Sequence, residues 1–194
     1  MNPITRIIND RTEARKLNDS NADTCFLALA DKQGRASVRT LVLRDITDNR
    51  FVLFLNRTSP KWQLFQGGAS YELLLWYPTQ QRQYRIQGSM VEIDPALVKT
   101  NWMRRPQGSK LLDYVYESMN QSSEIASRDL LVNEIQRLRQ THKSDDMRAP
   151  DDVGGVELIA NQIEMLDLNR EDRIHDRQVF KRLDNKWQAT VLVP

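Results

Sequence analysis

Between residues 24 and 93 apolar and polar side chains follow one another with the period of a half-buried strand. The segments are "TCFLALA" (24–30), "ASVRTLVLR" (36–44), "FVLFLN" (51–56), "SYELLLWY" (70–77) and "RQYRIQGSMVEI" (82–93). Each reads as a strand. The breaks "DKQG", "DITDN" and "YPTQ" carry turn chemistry, and connections this short join antiparallel neighbours. Ahead of them, Ile4, Ile7, Ile8, Ala14 and Leu17 recur at helical spacing, which predicts a helix over 3–17.

The period then changes. "SPKWQLFQGG" (59–68) predicts a two-turn helix, with Ser59 as N-cap, Pro60 at the first helical position and Gly67 as the stop. Helices are also predicted over 94–106, 109–119 and 122–140, and strands return at 154–168, 173–183 and 186–193. Strands grouped in two blocks, without βαβ alternation, argue against a doubly wound parallel sheet. The pattern predicts a mainly β protein, an antiparallel barrel with peripheral helices. One domain is expected over 1–194, with an N-terminal helix (1–20) and a helical insertion (94–140) packed on the barrel.

Charge narrows the function little: 28 basic residues stand against 26 acidic ones, for a net charge of +2. That balance speaks against a nucleic-acid partner. The start lacks the apolar segment of a signal peptide, and no apolar run approaches the roughly 18 residues of a membrane span. A soluble, cytoplasmic protein without a membrane partner is expected. The single cysteine, Cys25, reads as a small buried hydrophobe. One cysteine and two distant histidines supply no zinc constellation, and neither double glycine has the spacing of a phosphate-binding loop.

Arginine inside strands does change the picture. Arg39 and Arg44 lie in the second strand, Arg82 and Arg85 in the fifth, and Arg173 and Arg177 flank His175 in "RIHDR". On a strand these last three would share one face. Burying an unpaired guanidinium costs several kcal/mol, so such residues either pair with carboxylates or meet an anionic ligand. Phosphate suits them, because guanidinium offers two parallel N–H groups. "TSPK" (58–61) adds hydroxyls, a helix start and Lys61, and "RRPQGSK" (104–110) places Arg105 near Ser109. His142 reads as solvated.

"RTLVLRDITDNRFVLFLNRTSPK", "RQYRIQG", "RRPQGS", "NQSSEI" and "RIHDR" occur in that order, followed by an aromatic-bearing final strand ending in proline. In this the chain resembles the pyridoxamine 5′-phosphate oxidase family from about residue 24 to 194. The resemblance implies an FMN-binding split β-barrel and a homodimer with FMN in clefts between subunits. Carried over by position, the FMN site would comprise Arg39, Val42, Leu43, Arg44, Phe54, Leu55, Ser59, Lys61, Gln83, Gln121, Ser122 and Arg177. The phosphate of a small phosphorylated substrate, pyridoxamine or pyridoxine 5′-phosphate, would meet Arg44, Arg105 and Ser109. Arg173 and His175 would be the catalytic pair at the substrate ring. The implied reaction passes hydride from the substrate C4′ to flavin N5; oxygen then reoxidises the flavin to give hydrogen peroxide and pyridoxal 5′-phosphate. The chain departs from the family pattern at Arg44 (lysine in the family), Pro60 (a basic residue), Asn101 (a phosphate-binding tyrosine), Val153 (an aromatic residue) and Leu166 (tryptophan). A split-barrel flavin reductase, an oxidase of another small molecule, and a non-enzymatic FMN or pyridoxal-phosphate binding module are the alternatives.

Overall fold

The computed structural model describes residues 2–143, 146–169 and 174–194. Helix α1 (Pro3–Lys16) is followed by strands β1 (Thr24–Ala30), β2 (Ala36–Val42), β3 (Asp45–Thr47) and β4 (Arg50–Asn56). Helix α2 (Pro60–Gln66), β5 (Ser70–Tyr77) and β6 (Arg82–Glu92) come next, then α3 (Pro95–Met103), α4 (Gln107–Val115) and α5 (Arg128–Thr141). β7 (Val153–Asp167), β8 (Asp176–Leu183) and β9 (Lys186–Leu192) complete the chain. The strands form one sheet in the order β2-β1-β5-β6-β7-β4-β3, with β8 on β7 and β9 on β8. The pairs β1–β2, β1–β5, β3–β4, β5–β6, β7–β8 and β8–β9 are antiparallel; short turns join β1–β2 and β5–β6 as predicted, whereas β2 and β4, expected as neighbours across "DITDN", are not adjacent in the sheet.

Contacts divide the chain into two compact units. The first holds Met1–Leu53, Gly68–Val91 and Glu157–Pro194; the second holds Phe54–Gly67 and Glu92–Val156.

In the first unit, β1 and β5 bury every second residue, as alternation requires: Cys25, Leu27 and Leu29, then Tyr71, Leu73, Leu75 and Tyr77. Burial pushes the Cys25 thiol up to about 12, so it packs as a hydrophobe and stays protonated. Helix α1 adds Ile4, Ile7 and Ala14 to this core and carries two buried charges, Asp10 and Arg11. Arg82 on β6 reaches Asp10 through Nη1 (2.8 and 2.9 Å) and Asp167 through Nη2 (2.7 Å). Tyr84 donates its hydroxyl to Asp10 as well. Burial, and the Asp10 charge beside it, push that hydroxyl far up, which keeps it a donor. At Gly88 the neighbouring backbone comes so close that a Cβ would sit 1.9 Å from the Ile159 carbonyl oxygen, so only glycine fits.

The second unit packs Trp62, Val98, Trp102, Leu111, Val115 and Leu138 from its helices. α2 begins as the sequence predicts: the Ser59 hydroxyl accepts from Trp62 N, and Pro60 opens the helix. Asp94 caps α3 by accepting from Ala96 N.

Three expectations need correction. β2 ends at Val42 rather than Arg44: Leu43 N donates to Asp23 O and Arg44 N to Val52 O, so the chain changes neighbours there. "DIT" then forms the short strand β3, paired with β4 around Asp48, whose φ is +54°. α5 starts at Arg128, not 122, because Ser122 has a left-handed φ of +72° and Ser127 is the cap. β8 starts at Asp176, one residue past His175. Its last pairing is Asp167 with Asp176, and beyond it β7 turns away as Leu168 N donates to Gln81 O. His175 is thus exposed in irregular chain and does not share a strand face with Arg177; Arg173 lies outside the described residues. By contrast, Asp184 and Asn185 make the expected two-residue hairpin turn, both with positive φ (47° and 61°). No helix among the described residues is long and apolar enough to cross a membrane.

Candidate active site

The strand arginines of the first unit divide by partner. Arg82 is neutralised by Asp10 and Asp167. Arg85 bonds Glu72 and lies 3.5 Å from Glu164, whose Oε1 also takes the Arg177 Nη2 at 3.0 Å. These four side chains form an ionic line across β5, β6, β7 and β8, and the Arg85 hydrogen bond holds Glu72 below the usual carboxylate range. Arg177, expected at the flavin, is therefore anchored by Glu164.

Arg39 differs. It sits on the half-buried face of β2 with Ser37 and Leu41. Its Nη2 donates to the Ser37 hydroxyl (2.5 Å), while Nη1 is buried and has no hydrogen-bond partner. Burial alone pulls its pKa down. A guanidinium placed this way, with a buried N–H left over and no carboxylate, fits a bound anion. The other expected flavin residues of this unit sit in different settings. Val42 and Arg44 are exposed at the end of β2 and just beyond it, with buried Leu43 between them. The Leu43 carbonyl accepts from Arg11. Gln83 is half-buried on β6, opposite Trp76. Along the hydrogen-bonded order, β1, β5, β6 and β7 separate Arg39 from Arg177.

In the second unit, expected residues do come together. Phe54 and Leu55 lead β4 into Asn56, whose Oδ1 accepts from Thr58 N (2.8 Å) and Thr58 Oγ1 (2.5 Å). Thr58 Oγ1 in turn accepts from Gln121 N at 2.9 Å. Lys61 Nζ donates to Gln121 Oε1 at 2.6 Å, and Ser122 follows in its left-handed turn. The Ser59 hydroxyl is fully buried and spent on the cap, donating to Asn56 O, so Ser59 offers a ligand its helix start rather than its side chain. Asn56 Nδ2 is buried without a partner, a second orphaned donor. Asn56 was not singled out in the sequence; its signal is the Asn-x-Thr spacing of an Asx turn.

The expected substrate-phosphate residues are engaged differently. Arg105 Nη1 bonds Asp113, which also takes Trp102 Nε1 at 2.7 Å. Ser109 is half-buried in the first turn of α4. Asn101, expected at the position of the family's tyrosine, donates its amide to Leu97 O within its own helix. His142 is half-buried rather than solvated, its ring 4.7 Å from that of Tyr114.

A family model described as pyridoxamine 5′-phosphate oxidase matches residues 12–142. The chain belongs to the pyridoxamine 5′-phosphate oxidase family. A pyridoxine/pyridoxamine 5′-phosphate oxidase of Trichormus variabilis is 31% identical over 182 residues, 93% of this chain and 82% of the relative. One from Acinetobacter baumannii is 32% identical over 169 residues, 87% and 76% of the two chains. The fold is shared with PhzG from Burkholderia lata, solved with tetrahydrophenazine-1-carboxylic acid (TM-score 0.87, 23% identity, 99% of this chain and 92% of that one). It is also shared with a pyridoxamine 5′-phosphate oxidase-related FMN-binding protein of Nostoc punctiforme (TM-score 0.81, 18% identity, 100% and 99%). The expected antiparallel, mainly β fold of this family is thereby borne out. The residues that neutralise the strand arginines of this family member, Glu72, Glu164 and Asp167, had no local sequence signal, since each is 13 or more positions from the arginine it meets.

Proposed function

We propose that this chain is an FMN-dependent oxidase of small ring substrates, active as a homodimer, with pyridoxamine or pyridoxine 5′-phosphate as the family substrate and pyridoxal 5′-phosphate as its product. The observation that carries the reading is Arg39: among the strand arginines of a near-neutral chain it keeps a buried, unpartnered N–H and meets no carboxylate. Bound FMN would supply the hydride acceptor and pass the electrons on to oxygen, giving hydrogen peroxide.

The chain's own part is binding and orientation. Arg39 offers its orphaned Nη1 to a phosphate oxygen. Lys61, held by Gln121, and the start of α2 offer a positive charge and backbone N–H groups. Gln83 and Gln121 offer amides for the polar edge of a flavin ring. Val42, Leu43, Phe54 and Leu55 would contribute apolar contact, and Ser122, Arg44 and Arg177 complete the set carried over by family position. Arg173 and His175 are assigned to the substrate ring on the same ground. The separation of Arg39 from Arg177 by four strands supports a site completed by a second copy.

The FMN-loaded protein, given pyridoxine or pyridoxamine 5′-phosphate and oxygen, is expected to release peroxide and the aldehyde in equal amounts. Arg173→Ala should keep the flavin and lose the oxidation. In sedimentation the flavin-loaded protein should run as a dimer; a monomer that keeps its flavin contradicts the shared site. A second reading, the same chemistry on another substrate, is favoured by one observation: Asp113 already occupies the arginine meant for the substrate phosphate. Bound flavin with no aldehyde from either phosphate ester would select it.

A further inference from the structure

We infer that Asp113 is a specificity-determining residue: by holding Arg105 it turns this end of the substrate site away from a phosphate dianion and toward a singly charged group such as a carboxylate. The inference rests on the proposed placement of Arg105 at the substrate and develops the second reading, the same chemistry on a substrate other than the phosphate esters.

Arg105 and Asp113 form an ion pair whose side chains are only 17% and 7% exposed. Asp113 sits on α4 and is fixed from a second side by Trp102 Nε1. Lys110, also on α4 and buried, places Nζ 5.0 Å above the Trp102 ring. Among these three charged side chains two positive charges stand against one negative. That excess balances a carboxylate. A phosphate monoester carries close to two negative charges near pH 7 and would approach an arginine already in contact with a carboxylate. Like charges at such range in a half-buried setting repel strongly. The remaining groups do not compensate. Asn101 spends its amide on Leu97 O, and Ser109 brings no charge. Arg105 retains a buried Nε–H without a partner.

A carboxylate beside an anion-binding arginine has a second possible role, as a strut that aims the guanidinium at phosphate. The two roles predict opposite signs, so Asp113→Asn separates them. It keeps an oxygen acceptor for Trp102 and removes the charge, while the other carboxylate oxygen becomes an N–H donor. The protein as purified with its flavin is titrated calorimetrically at pH 8 with phenyl phosphate and with benzoate, a dianion and a monoanion on the same ring. The parent should bind benzoate at least as tightly as phenyl phosphate. Asp113→Asn should tighten phenyl phosphate by about tenfold, the effect of removing one nearby like charge, and change benzoate far less. Unchanged flavin content and melting temperature establish that the variant is folded. Weaker phenyl phosphate binding in Asp113→Asn, or an unchanged ratio of the two affinities, overturns the inference. Arg105→Gln should weaken both anions. If it alters neither, or if neither anion binds the parent, then Arg105 is not at the substrate, and the underlying placement falls with the inference.

Discussion

Arg82→Ala is expected to lower the folding stability by about 3 kcal/mol, the cost of leaving buried carboxylates without their cation. Arg82 is the only cation among the described residues that touches both Asp10 on α1 and Asp167 at the end of β7. Its side chain is 18% exposed and theirs 12% and 8%. After truncation Asp10 keeps the Tyr84 hydroxyl, and Asp167 keeps Arg6 at 3.6 Å, which holds the loss near the lower end of the usual range. The urea midpoint measures it. The same substitution in an Asp10→Asn background should cost clearly less, since one of the stranded charges is gone. A loss under about 1 kcal/mol, as for an exposed ion pair, would show that α1 is not secured through this cluster.

Arg39→Ala should weaken FMN binding by about 10- to 100-fold, the worth of a hydrogen bond between charged groups. The structure ties this arginine to little else: one hydroxyl, that of Ser37, and no carboxylate. Folding stability should hardly fall, because the substitution removes a half-buried charge that meets no carboxylate. That combination, a large loss of ligand affinity with an intact fold, separates a binding arginine from a structural one. Arg39→Lys should recover part of the affinity, since it restores the charge but not the planar pair of donors. Excess FMN should restore the activity of Arg39→Ala.

How much of this could be read from residues alone depended on the range of the interactions. Alternation and turn chemistry were local, so β1 and β5 ran over the segments they predicted, and the Asp184–Asn185 turn and the Ser59–Pro60 start of α2 formed as expected. What depended on a distant partner was not legible. β8 begins where β7 stops offering a ladder, which removes His175 from the strand although "RIHDR" alternates. The fate of the strand arginines turned on carboxylates far along the chain. Arg82, Arg85 and Arg177 found them, and Arg39 found none. Arg105 and Asp113 lie eight residues apart across a helix start, so their pairing follows from how α4 packs and from no pattern in "RRPQGSK".

The central claim, that this family member is built around FMN, is tested most directly by titrating flavin-free protein with FMN and with FAD while following the flavin spectrum. FMN should bind with a micromolar or tighter dissociation constant and FAD clearly more weakly, and Arg39→Ala should erase most of that preference by weakening FMN. FAD binding as tightly as FMN, or neither flavin binding at micromolar concentration, would contradict the account.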